Sequence, residues 1–307
     1  MFAPCGPSTP FYPRVHSFQF SGLLTSLALG LGSGGGEGLG ALQPRVGEVR
    51  VLKTTETAIY LEALVNLTNP TPYSAQIPYL TVHVAKNNTI VGDATIRDVN
   101  ITTGNNTDIL VSAIWSPADG GPKARKVGVD LISQYLSGFN TTVDIQLHKD
   151  SIPTAPIVGE ALSKLKLSVA APHLDLPSDG DDQVDKEHFI RAATFHFFSS
   201  TATFTLVSPF KHDTLYLDWV NATAYYNHTS PVGHIESDDP FPAPPGANET
   251  PRLPVEWSVG SVGYEAVRKA LGGQLKLDAR ADVTVRLDKF RETVWYVGKG
   301  IGAHIKP

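Results

Sequence analysis

At 307 residues, 41 % hydrophobic and only 18 % charged, the chain is long enough for about two packed domains and too apolar for a disordered polyelectrolyte. The formal net charge of −5 argues against a nucleic-acid surface, which needs clustered Lys and Arg, so no nucleic-acid partner is expected. Cys5 is the single cysteine and excludes an intrachain disulfide, while 23 prolines and 27 glycines suit short strands joined by many turns.

Residues 1–45 show no hydrophobic period and are expected to form a disordered or poorly packed leader. The apolar run from Phe20 to Leu31 is too short to span a bilayer, and the glycines after Gly32 lack the Gly-Lys-Ser/Thr of a phosphate loop. A first domain is expected over 46–171. Ile59, Leu61, Ala63, Val65 and Leu67 alternate with more polar positions, which is the period of a strand with one buried face. Leu80, Val82 and Val84 continue that pattern, and so do Ile109, Val111, Ala113 and Trp115. Asn87-Asn88 suits a tight turn because asparagine tolerates positive φ. From Lys123 to Leu136 the period becomes helical, with Val127, Leu131 and Tyr135 on one side and Gly138 as the C-terminal stop. The basic run Lys123 to Lys126 reads as the solvated face of that helix. Val143, Ile145 and Leu147 form a further strand, Pro156 opens a short helix, and Leu165, Leu167 and Val169 close the domain.

An acidic linker is expected at 172–187. Its aspartates fail the EF-hand spacing, with Gln183 in a ligand position, so no calcium is expected there. The second domain, 188–307, runs through the same landmarks about 140 positions later. Asn69-Pro70 is answered by Ser208-Pro209, Val91-Gly92 by Val232-Gly233, Asn105-Asn106-Thr107 by Asn248-Glu249-Thr250, and Trp115-Ser116 by Trp257-Ser258. Leu215, Leu217 and Trp219 are expected on one inner face, Asp239–Pro245 in a proline-rich loop, and Gly263–Leu271 in the repeated helix. Gly298, Gly300 and Gly302 share one face of the last strand and suggest a close backbone approach. Repetition on this scale means two copies of one small β domain in tandem: an all-β fold with short helices.

Eight of the 11 asparagines open an Asn-x-Ser/Thr sequon: Asn66, Asn87, Asn100, Asn105, Asn140, Asn221, Asn227 and Asn248. That density points to N-glycosylation and passage through the secretory lumen. No signal peptide or span accompanies it, which suggests the C-terminal part of something longer. Chemistry-bearing motifs are missing. Ser261 lies between Gly260 and Gly263, but Val259 breaks the nucleophile elbow. The ten histidines show no zinc spacing, and His83 and His196 read as outward strand residues. Trp115 and Trp257 read as core anchors rather than a carbohydrate platform. No enzyme activity, cofactor or metal is expected.

Particular stretches resemble a known family. They are Val51 to Thr55, Leu64 to Thr71 and Ile132 to Thr142 in the first half, and Ser199 to Pro209, Thr250 to Val255, Trp257 to Tyr264 and Ala270 to Gly273 in the second. They are similar to the C-terminal luminal part of the fungal vacuolar membrane protein family implicated in terminating autophagy, whose relatives often carry the label "pre-rRNA processing protein". The resemblance covers about 45–307. It implies tandem immunoglobulin-like sandwiches, akin to late-embryogenesis-abundant domains, on the luminal side of the vacuole membrane, attached through a span missing from this chain. It implies no catalytic residue. The expected role is a non-enzymatic module that binds a protein in the vacuolar lumen or membrane, or acts as a spacer, with Asp239–Pro245 and Gly263–Leu271 as candidate surfaces. A lipid-binding sandwich and a nuclear pre-rRNA processing factor are the alternatives, and the acidic charge opposes the second.

Overall fold

The computed structural model describes residues 44–70, 72, 74–164, 166–170, 189–196, 198–258 and 275–306. The linker expected at 172–187, the helix expected at 263–271 and all but the end of the leader lie outside them. In the first half, β1 (Arg45–Thr54), β2 (Ile59–Asn69), β3 (Ala75–Lys86), β4 (Thr89–Ile101) and β5 (Gly104–Trp115) lead through a 3-10 turn, Pro117–Gly120, into helix α1 (Gly121–Leu136). Strand β6 (Thr142–Gln146), helix α2 (Pro156–Leu162) and β7 (Lys166–Ala170) follow. The second half contains β8 (Ile190–His196), β9 (Thr201–Val207), β10 (Leu215–Tyr226) and β11 (Ser230–Ser237). Four short strands come next: β12 (Phe241–Ala243), β13 (Ala247–Glu249), β14 (Leu253–Pro254) and β15 (Glu256–Trp257). Two long ones end the chain, β16 (Leu275–Leu287) and β17 (Phe290–Lys306).

Among the described residues the ladders form two curled sheets, in the orders β1-β2-β5-β4-β3-β6-β7 and β13-β9-β8-β17-β16-β10-β11-β15. Both orders trace one path. If β13, β14 and β15 are taken as pieces of a single passage equivalent to β5, each pairing of the first sheet has its counterpart in the second. Among the described residues the second sheet has two further ladders, the short one of β12 on β10 and one that joins its two ends. Gly302 to Lys306 of β17 pairs in parallel with Ala192 to His196 of β8 and closes the sheet into a ring. No ladder joins the equivalent strands β7 and β1 among the described residues.

The cores differ accordingly. In the first sheet Val82, Ala94, Ile101, Ile109 and Val111 form the buried cluster, with Val65, Leu67, Leu80 and Val84 packed on it, as the period-2 pattern expects. The second core is far larger and holds Phe195, Leu217, Val220, Val285, Val294 and Tyr296 among others. The Tyr296 hydroxyl accepts the Ile190 N–H at 3.3 Å, which ties β8 to β17, and burial pushes its pKa above the usual tyrosine range.

Three expectations need correction. Trp219 does not continue the row of Leu215 and Leu217, because the β10–β16 ladder shifts register between Leu217 and Trp219. The shift leaves Trp219 half-buried and brings Val220 into the core. The proline-rich segment 239–245 is not a plain loop, since Phe241 to Ala243 pairs with β10 and buries Phe241 and Ala243. Of the three late glycines only Gly298 meets a close neighbour: a Cβ there would lie 2.7 Å from the Tyr296 hydroxyl and from Ile301 Cδ1. Gly300 instead supplies a φ of 68°, beside a ladder shift at Leu277/Ala279, and Gly302 faces open space.

Candidate functional site: the junction between the domains

Helix α1 belongs to the first domain by sequence but serves both. Pro122 near its start pre-sets φ, and the helix ends at Ser137 with Gly138 at φ 70°, as the sequence suggests. One face lies on the first domain. At Gly128 a Cβ would come within 2.5 Å of Pro117 and 3.3 Å of Trp115, so only glycine allows this approach. The opposite face meets the second domain. Leu136 is buried in the second domain's core, and Ile132 and Tyr135 pack against it, as do Val51 and Ile59 from β1 and β2. The two cores are separate clusters, yet the second is completed by side chains of the first domain.

Hydrogen bonds fix the register of this contact. Among the described residues the first part of β17 pairs only with β16, and its other edge meets β8 no earlier than Gly302. On that edge the Trp295 N–H donates to Ser133 Oγ at 3.0 Å and the Val297 N–H donates to Ser137 Oγ at 2.9 Å. Two serines one helical turn apart thus receive alternate N–H groups of a strand edge. Both serines are almost fully buried, so losing either hydroxyl would strand a donor. The Trp295 indole N–H donates to Asp130 Oδ1 at 3.0 Å, and its ring lies 6.2 Å from that of Phe139. Burial alone would raise the Asp130 pKa, but the indole and Lys126 outweigh it and hold the carboxyl below the usual carboxylate range. Arg125, read from sequence as part of a solvated face, makes a two-pronged pair with Glu292 across the junction, both bonds at 2.9 Å.

At the other end of the junction Thr54 Oγ1 donates to Asp288 Oδ2 and accepts the Lys289 N–H, both at 2.9 Å. Beside it opens a cleft of about 460 Å³, lined by residues 51–54 of β1, Asp213, Thr214, Tyr216 and residues 286–288. Behind the cleft the buried Asp218 carboxylate receives Arg286 Nε at 3.0 and 3.1 Å and Arg291 Nε at 3.1 Å. Arg286 also lies 4.4 Å over the Tyr216 ring. These charges satisfy one another around the buried carboxylate.

Residues 42–159 match the family model of the Tag1-like fourth LEA-2 like domain, and residues 182–295 match that of the Tag1-like fifth LEA-2 like domain. The chain fits a Tag1-like family. No curated protein matches it. The repeat is therefore a pair of consecutive LEA-2-like domains, and α1, with β1 and β2, docks the fourth-type domain on the fifth-type one.

Within this pair the sequence-predicted residues are dispersed. Asn66, Asn87, Asn100, Asn105, Asn140 and Asn227 are exposed, while Asn221 and Asn248 are half-buried. Asn87 and Asn227 occupy equivalent hairpin tips at φ 51° and 48°. His83 is more than an outward strand residue. Its Nδ1 lies 2.6 Å from Asp93 Oδ1, and its ring stacks on His148 at 4.3 Å. Burial, then the nearby His83, hold His148 below the usual histidine pKa. Trp257 meets Phe195 edge-on at 5.2 Å and Trp115 packs under α1, but both are half-buried. No group of three or more potential metal ligands occurs among the described residues. None of the described helices is long and apolar enough to cross a membrane. Nothing in the local pattern marks Ser133, Ser137 and Trp295, because a serine that faces a distant strand looks like any polar helix residue.

Proposed function

We propose that the chain is a non-enzymatic luminal module of a fungal vacuolar membrane protein. Its two LEA-2-like domains, held at fixed spacing by α1, present a surface to a protein partner in the vacuolar lumen or membrane and serve the termination of autophagy. The α1–β17 contact carries the spacing role: buried serines, a buried leucine and an indole–carboxylate bond make a specific joint rather than a loose tether. Support for the compartment comes from the density of sequons and from the family resemblance over about 45–307.

The test is topological. In fungal cells, the chain expressed within its full-length protein should be protected from added protease in intact vacuoles and should lose mass on endoglycosidase treatment. A chain open to protease and indifferent to endoglycosidase removes the luminal placement.

A further inference from the structure

Not every sequon has the same chemistry available. N-glycosylation joins the sugar to Asn Nδ2 and replaces one of its two hydrogens. In Asn248 both are in use: Nδ2 donates to Pro244 O at 2.6 Å and to Gly246 O at 3.0 Å. The third residue of that sequon is committed too. Thr250 Oγ1 accepts the Phe204 N–H at 3.0 Å and donates to Pro251 O at 2.9 Å, and Thr250 is buried.

The first domain shows what this arrangement is for. Its counterpart is Asn106, not Asn105. Asn106 Nδ2 donates to Thr102 O at 2.9 Å and to Gly104 O at 3.1 Å, the same two offsets along the chain. Both asparagines stand two residues after a glycine in the left-handed region, Gly104 at φ 85° and Gly246 at φ 86°. Position 108, equivalent to Thr250, is Asp108, so Asn106 opens no sequon at all. An asparagine that closes this loop is thus present in both domains, and only in the second does a threonine two places on turn it into Asn-x-Thr.

We infer that Asn248 is a structural loop cap that carries no glycan in the folded protein, whereas Asn66, Asn87, Asn100, Asn105, Asn140 and Asn227 are the glycan-bearing sites. Those six are exposed, and among the described residues their Nδ2 groups make no hydrogen bond. Asn66 and Asn105 use only Oδ1, which accepts the Asp108 N–H at 3.0 Å and the Thr68 hydroxyl at 3.0 Å, and that leaves Nδ2 available for the sugar. The inference deepens the luminal reading for the glycan-bearing set, but the capping role of Asn248 stands apart from it.

Two measurements separate these parts. The protein is produced through the secretory pathway of a fungal host and released with peptide-N-glycosidase in heavy-oxygen water. Labelled peptides should contain the six exposed asparagines, and the Asn248 peptide should be unlabelled. Labelling of Asn248 to the extent of Asn87 overturns the assignment, and an absence of label at every site overturns the luminal reading instead. Unglycosylated protein made in bacteria then tests the cap. Asn248→Gln and Asn106→Gln should each lower Tm by about 3 °C or more, and Asn100→Gln should leave it unchanged. Equal Tm values for Asn248→Gln and Asn100→Gln sink the capping role whatever the compartment.

Discussion

The two domains follow one ladder path and finish it differently. In the second, β16 and β17 run for 13 and 17 residues around a two-residue turn, with Asp288 at φ 51°, and the far end of β17 reaches β8. In the first, the equivalent β6 and β7 are five residues each, separated by a segment that carries α2. A five-residue strand extends only about 17 Å. Its partner β1 is meanwhile turned toward the second domain, where Thr54 bonds Asp288 and Lys289. Among the described residues closure thus accompanies the long last hairpin, and the fourth-type domain packs β1, β2 and α1 on its neighbour. The contact is mutual: among the described residues α1 covers the edge of β17 that precedes Gly302.

The comparison predicts unequal cores. Val285→Ala, at a site 7 % exposed in the closed domain, should cost about 2–4 kcal/mol in urea unfolding. Val111→Ala in the open domain should cost roughly 1–3 kcal/mol, because fewer buried neighbours surround it. Equal losses would mean that the open sheet is as well packed as the ring. Next in size is the joint. Ser133→Ala leaves the Trp295 N–H without its acceptor and should cost about 1–3 kcal/mol; with Ser137→Ala added, the tryptophan fluorescence transition should separate into two steps. A single unshifted transition in the double variant would show that the helix serines do not couple the domains.

A pH effect of smaller size should arise in the first domain. His148 has a folded pKa below its ordinary value of 6.5, so the unfolded chain binds the proton more readily. Its contribution is complete above pH 6.5 and is lost as pH falls through the depressed folded value, with His83, Asp93 and Asp150 facing the ring. His148→Gln should flatten the stability profile of the first domain in that window and leave the second domain's unchanged. Asp130 and Asp278 do not contribute there, because both are held below the usual carboxylate value of 3.8 and lose their contribution only in stronger acid. The smallest effect belongs to Arg125→Ala. Its pair with Glu292 is largely solvated on the arginine side, so the loss should stay below about 1 kcal/mol and vanish in high salt.

Much of the fold was legible because period-2 alternation and turn chemistry are local. Ile109 and Val111 on an inner face, the Asn87-Asn88 turn and the α1 stop at Gly138 all follow from a few neighbouring residues. Strands β4 and β11 were harder. In β4 Val91, Gly92 and Ala94 are buried in near succession, which erases the alternation. Gly92 is required there because a Cβ would lie 2.2 Å from the Ile114 carbonyl oxygen, a contact from a strand more than twenty residues away. The repeat was legible too, yet it placed Asn248 opposite Asn105, one residue out of register. Sequon spelling and loop geometry pointed to different asparagines, and only the positive-φ glycines decide between them.

By itself the sequence determined the duplication, the all-β class and the dispersed sequons, since each rests on side chains within a strand or turn of one another. The tertiary structure alone decided that β17 closes the second copy onto β8, that α1 faces two ways, and that Ser133 and Ser137 serve a strand some 160 positions distant. A hydroxyl acquires that role only when an unpaired backbone N–H is brought to it, and nothing in the local pattern of a helix records which distant edge will arrive.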